Sequence, residues 1–231
     1  MEHDSITTGA FASKRLRWGL VVVLVLGLAG VTLAVWLKPT PAYQAAPLVI
    51  EAGGLQAGDL VFRRGESLTS RMVLTADPRS AYSHVGILYL GEDGPLVVHA
   101  IPGDDFDAPT PLRVEPLASF TEAASAVGVH RLGEADAAVY AEDAARIALS
   151  YARDSVLFDV GFSLQSPEAM YCTELVWRAY REAGLDLVDG VFDDLRIPLG
   201  EGPYILPSSL LDSPYLTNVL SRTRKPANRH D

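Results

Sequence analysis

Hydrophobic and polar positions divide the chain into stretches of unlike pattern. The run WGLVVVLVLGLAGVTLAVWL, Trp18 to Leu37, holds no charged residue. As a helix rising about 1.5 Å per residue it reaches roughly 30 Å, the thickness of a bilayer core. Residues 38–54 are rich in Pro, Ala and Gly and read as a linker. From residue 55 to 220 apolar positions recur with the periods of strands and helices, and residues 221–231 form a polar tail expected to fray.

Within 55–220 the period changes several times. GDLVF, Gly58 to Phe62, reads as a turn into a short strand, and SLTSRMVLTAD from Ser67 has helical spacing behind a Ser that can cap it. AYSHVGILYL (81–90) and PLVVHA (95–100) are strand-like runs joined by GEDG, the pattern of a hairpin. An acidic, Pro-bounded loop leads to short strands near Leu112–Glu115 and Val127–Arg131. Glu134 to Arg153 is Ala-rich with acids early and arginines late, which suits a helix dipole. In AMYCTELVWRAYREAGL, positions 172, 175, 176, 179 and 183 form one apolar helical stripe, and Gly184 is a natural stop. The order predicts an α+β fold, an antiparallel sheet packed against helices, preceded by one N-terminal transmembrane helix.

Charge sets the orientation. Lys14, Arg15 and Arg17 precede the apolar run and Lys38 follows it. Residues 1–17 are therefore expected in the cytoplasm, 18–37 as the anchor, and the rest outside it, in a bacterium the periplasm or outer face of the inner membrane. Trp18 and Trp36 fall at the two interfaces. A cleaved signal peptide is the competing reading, but its apolar region is usually about 7–15 residues and ends at a small-x-small site. TPAYQAA offers only poor ones. Three of the 19 basic and two of the 29 acidic residues precede Lys38, so the part beyond carries a net charge of −11. That argues against nucleic acid as a partner and leaves the membrane, reached through the N-terminal helix, and a peptide or acyl substrate.

The one cysteine, Cys172, excludes an intrachain disulfide. It is either the first residue of a core stripe or a nucleophile. A helix N-terminus lowers a thiol pKa, and a nucleophile needs a base that is itself oriented. Of five histidines, His3 and His230 lie in the terminal segments, and His130 has no evident partner. His84 and His99 sit on the two arms of the predicted hairpin, where antiparallel pairing brings them together if they share a face. Zinc held by His84, His99 and Cys172, with Glu174 nearby, finds no HxxxH or CxxC spacing to support it. No metal or cofactor is expected.

GDLVF…SHVGILYLGEDGPLVVHA resembles the strand half of the NlpC-type papain-like cysteine peptidases, and YCTELVWRAYREAGL resembles their nucleophile helix. The helix here follows the strands, an order similar to the circularly permuted YiiX/YebB-like branch, as are LFDVGF and YILPSSLLDSPYL. The resemblance spans residues 55–220. It implies Cys172 as nucleophile, His84 as base and His99 as the orienting third residue, at a position where the branch often carries glutamate. It also implies an oxyanion site at the helix N-terminus, with Tyr171 and Thr173 lining the pocket. The expected function is an anchored cysteine hydrolase cleaving an amide or peptide bond in cell-wall material. The alternatives are a thioester-forming lipase or acyltransferase acting on lipid acyl chains, and a non-catalytic wall-binding domain.

Overall fold

The structure is a computed structural model that describes residues 48, 50, 53–103, 108–133, 138–166, 168–197 and 200–224. The apolar run 18–37, with residues 1–17 and most of the linker, lies outside the described residues. Among the described residues no helix is long and apolar enough to cross a membrane.

The chain order is β1 (Leu60–Arg64), α1 (Leu68–Ala76), β2 (His84–Gly91), β3 (Gly94–His99), β4 (Arg113–Pro116), α2 (Leu117–Glu122), β5 (Ala126–Leu132) and α3 (Ala138–Arg153), followed by β6 (Leu157–Phe158), β7 (Ala169–Met170), α4 (Cys172–Glu182), β8 (Asp193–Ile197), β9 (Gly200–Tyr204), α5 (Pro207–Leu211) and β10 (Leu216–Thr223). The α+β reading holds. The strands predicted at 58–62, 81–90, 95–100, 112–115 and 127–131 correspond to β1 to β5, which form an antiparallel sheet of order β10-β5-β1-β2-β3-β4. β10 also pairs with β5 through Thr223, so the sheet runs three residues into the stretch read as a frayed tail.

Period-2 alternation gives the sheet two apolar faces. Leu60, Phe62, Val85, Ile87 and Val98 point to one, where Ala144, Ala145 and Ala148 of α3 and Leu175, Val176 and Ala179 of α4 complete the larger core. The small alanine face of α3 lets that helix lie close to the strands. Val61, Leu88, Val97 and Val127 point to the other face, where Leu117 and Phe120 of α2 cover them. His84, His99 and Glu115 have the same parity as this second set, so they lie on the α2 side of the sheet.

Two buried polar contacts fix where β1 enters. Asp59 accepts both Nε and a terminal nitrogen of Arg131, each at 2.7 Å, a fork that tolerates little displacement. The Tyr180 hydroxyl donates to the Gly58 carbonyl at 2.5 Å, tying α4 to the same turn.

Gly86 sits between the two histidine-bearing strands. A Cβ there would stand 2.5 Å from Val97 Cγ1 and 3.0 Å from His99 Cβ. Gly86→Ala should therefore cost about 1–3 kcal/mol by overpacking, read as a lower denaturant midpoint at unchanged slope. An unchanged midpoint would show that the sheet relaxes there freely.

Candidate active site

The helix α4 begins at Cys172 itself, behind an extended Tyr171. Glu174 makes this start: its Oε2 accepts the Tyr171 N–H at 3.2 Å, while Oε1 lies 2.6 Å from the Arg178 guanidinium one turn on. Glu174 is fully buried, and burial pushes its carboxyl up to about 7, against the opposing pull of Arg178 and the Tyr171 amide. Tyr171 and Thr173 both line the groove beside the cysteine. Their side-chain oxygens are committed to Ile205, the hydroxyl of Tyr171 accepting its N–H at 3.0 Å and that of Thr173 donating to its carbonyl at 2.6 Å. These side chains clamp the segment before α5 to the start of α4.

Backbone N–H groups act on the sulfur: those of Val85 on the sheet and of Thr173 and Cys172 at the start of α4 each favour the thiolate. Val85 stands beyond the last rung of the β2–β3 ladder, Ile87 opposite Val98, and directly follows His84 in the chain. Cys172 thus meets the sheet at its end, beside the residue that follows His84. The helix N-terminus does not make the thiol acidic at rest, contrary to the sequence expectation. Part of the residue opens to the groove, but the protein packed round its sulfur pushes the thiol up to about 11; the amides and the Arg63 charge offset burial only in part.

His84, first in β2, and His99, last in β3, are brought together as expected: Nε2 of His84 lies 2.8 Å from Nδ1 of His99, with the rings 79° apart. Nε2 of His99 lies 3.1 Å from Oε1 of Glu115 on β4. That approach is off the N–H axis, so the contact is a close charge–dipole attraction more than an aligned hydrogen bond. Burial is the largest influence on both rings and lowers both; Arg63 lowers them further, and Glu115 pulls His99 the other way. Glu115 itself is held below the usual carboxylate range, first by its contact with His99.

Arg63, opposite His84 in the β1–β2 register, completes the group. Its guanidinium donates to the Phe120 carbonyl at 2.7 Å, stacks over the Phe120 ring at 4.3 Å, and stands 3.9 Å from Glu115. The same ring packs against His84 and His99 at 5.6 and 5.0 Å. Glu115, Arg63 and Phe120 were not singled out in the sequence. The available signal was a charged residue on the inner parity of a short strand at two places. His130 is elsewhere, edge-on to Phe62 with Asn218 at 3.3 Å.

A cavity of about 510 Å³ opens beside Cys172 between α1 and the segment before α5. Leu68, Met72 and Val73 of α1 line one side, and Phe162, Ile205 and Pro207 line others. Phe162 adopts a positive φ of 50° and stacks on Tyr171 at 5.6 Å. Asp159 holds its loop by accepting the amides of Gly161 and Ser163, and Arg178 donates to the carbonyls of Leu164 and Ser166.

A thiol raised by burial stays protonated at neutral pH. Alkylation of Cys172 by iodoacetamide in the folded chain should therefore climb steadily above pH 9. An acid-side plateau, the mark of a resting thiolate–imidazolium pair, would contradict this assignment.

The chain matches the family described as "Permuted papain-like amidase enzyme, YaeF/YiiX, C92 family" over residues 54–220. It is also similar to the crystal structure of the metalloprotein yiiX from Escherichia coli O157:H7. That likeness has a TM-score of 0.60 at 25% identity and covers 73% of this chain and 98% of that one. Comparison with curated proteins gives no match. The metal belongs to the description of the Escherichia coli protein. Here the described residues contain no cluster of three or more His, Cys, Asp or Glu arranged to hold an ion, and three of the four ring nitrogens of His84 and His99 face each other or Glu115. Permuted order, a cysteine opening a helix and a strand histidine at the sheet end agree with the match: the chain belongs to the permuted papain-like amidase family, YaeF/YiiX, C92.

Proposed function

We propose that the protein is a cysteine hydrolase cleaving an amide or peptide bond through Cys172, His84 and His99. We propose also that the run 18–37 anchors it with this domain outside the cytoplasm, where cell-wall peptides are the substrate. The observation that carries the catalytic part is the 2.8 Å bond that fixes His84 Nε2 on His99, with the neighbouring Val85 amide on the Cys172 sulfur.

In this reading the free ring nitrogen of His84, Nδ1, takes the thiol proton as Sγ attacks the acyl carbon. The negative oxygen that develops is held by the N–H groups at the start of α4. His84 returns the proton to the leaving amine, and a thioester remains on Cys172. Water, losing a proton to the same nitrogen, then attacks the thioester; the acid leaves, the sulfur departs as thiolate, and His84 returns the proton to it. Protonation is confined to the moment of reaction, since both histidines are neutral and the thiol intact at rest.

The groove favours a second reading. Its lining is almost wholly aliphatic and aromatic, which suits an acyl chain better than a polar peptide. The same thioester chemistry would then act on lipid acyl groups as a lipase or acyltransferase.

The test uses the full chain in detergent with muropeptides and, separately, with phosphatidylcholine vesicles. The amidase reading expects new free amino groups from muropeptides alone, and Cys172→Ala should lower the rate on the order of a thousandfold or more with an unchanged melt. Fatty acid release from vesicles alone would replace the peptide substrate with a lipid. No turnover of either, with wall material still bound, would leave a binding domain.

A further inference from the structure

We infer that Glu115 is a positioning residue, the terminal anion of a four-member relay Cys172–His84–His99–Glu115, which selects the tautomer that lets His84 accept a proton. The inference rests on the cysteine-hydrolase reading above.

Its ground is an ambiguity that a histidine brings to the third position. A carboxylate or amide oxygen facing His84 Nε2 can only accept, so it leaves the His84 proton on Nε2 and a lone pair on Nδ1. Nδ1 of a neutral imidazole can accept or donate. With its proton on Nδ1, His99 would donate to His84 Nε2, the His84 proton would move to Nδ1, and the base would have no free lone pair. Both tautomers fit the 2.8 Å separation, so the pair by itself does not choose.

Glu115 makes the choice from the far side. An ionised carboxylate oxygen 3.1 Å from His99 Nε2 places a proton on that nitrogen, even off axis, because the alternative sets a lone pair against an anion. His99 Nδ1 then accepts from His84 Nε2, and His84 Nδ1 keeps its lone pair. The carboxylate is held ionised by Arg63 of β1 at 3.9 Å and by Arg113 on its own strand. On the α2 side the two rings meet the uncharged face of Phe120. Among the described residues Glu115 is the acidic group on this network. With the thiolate left on Cys172, it supplies the negative charge that balances Arg63 when His84 becomes an imidazolium. No proton need reach it: it stays an anion throughout, as an orienting carboxylate does in other relays.

The experiment reads the thiol and the rings directly and needs no substrate. The full chain, Glu115→Gln, His99→Asn and the double variant are compared by iodoacetamide alkylation of Cys172 from pH 6 to 10 and by ¹⁵N spectra of labelled histidine. Glu115 is partly exposed, so the isosteric Gln is tolerated; His99→Gln replaces His99→Asn if the latter melts early. Glu115→Gln should speed alkylation at pH 8 about tenfold and move its pH profile down by about one unit, because a proton on His84 Nδ1 donates to the thiolate where the parent sets a lone pair against it. The His84 ring nitrogens should show a larger share of the Nδ1–H tautomer. In the His99→Asn background, where an amide oxygen accepts from His84 without help, the same Glu115→Gln change should alter the rate less than about twofold. An equal rate change in both backgrounds, or slowing in the parent, would mean a general electrostatic or structural role and overturn the relay. A Glu115→Gln rate within twofold of the parent, with tautomers unchanged, would also overturn it. Native Cys172 that resists alkylation at every pH, yet reacts once unfolded, would overturn the hydrolase reading and the relay with it.

Discussion

The contact on which the site depends is the bond between His84 and His99 across the closing end of β2 and β3. It joins two imidazoles that burial renders neutral, on a sheet face sealed by Phe120. A neutral pair in such surroundings is stable only while each nitrogen facing the other has a complementary role. That condition fixes much around it. Gly86 must stay bare for the strands to bring His99 close, Glu115 must stand on the next strand, and β3 must stop at His99 so that the Val85 amide remains free for a ligand other than a strand.

Much of this was legible from residue order. The strand-like runs 81–90 and 95–100 about GEDG named the hairpin and put a histidine on each arm; that the two share a face follows from the register. The stripe from Cys172 to Ala183 named α4 and its inner side. Glu115 and Arg63 were not legible for a common reason. Each is a charged residue on a short strand, where pattern favours a solvent-facing role, and inward placement follows only from pairings with β3 and β2. The β8–β9 hairpin and α5 were missed because a Pro- and Gly-bearing stretch carries weak periodicity. Strand β10 was missed because polar residues at a sheet edge look like loop and tail until the partner strand is known.

The thiol gives the clearest case of two local rules in conflict. Helix N-terminal amides stabilise a thiolate, and enclosure by apolar groups destabilises it. The second wins at rest because burial is the largest influence on the thiol and the amides offset it only in part. The same enclosure strengthens every interaction with a charge that appears during reaction. The amides thus act more strongly on the oxygen of a tetrahedral adduct than they would in water, and the apolar groove that suppresses the resting thiolate is what lends them that strength.

Arg63 then needs a reason, because a guanidinium beside two histidines opposes the imidazolium that the mechanism requires. Its position supplies one. Moving a proton from Cys172 to His84 creates an anion at the sulfur and a cation on the ring, and Arg63 faces the first while Glu115 faces the second through His99. In the proposed transfer each new charge would find an opposite one already in place, Arg63 for the sulfur and Glu115, through His99, for the ring. With Arg63 alone the ring would resist protonation, and with Glu115 alone the sulfur would resist losing its proton. A charged pair 3.9 Å apart on adjoining sheet positions, held by the Phe120 carbonyl and ring, therefore separates the two halves of one proton transfer.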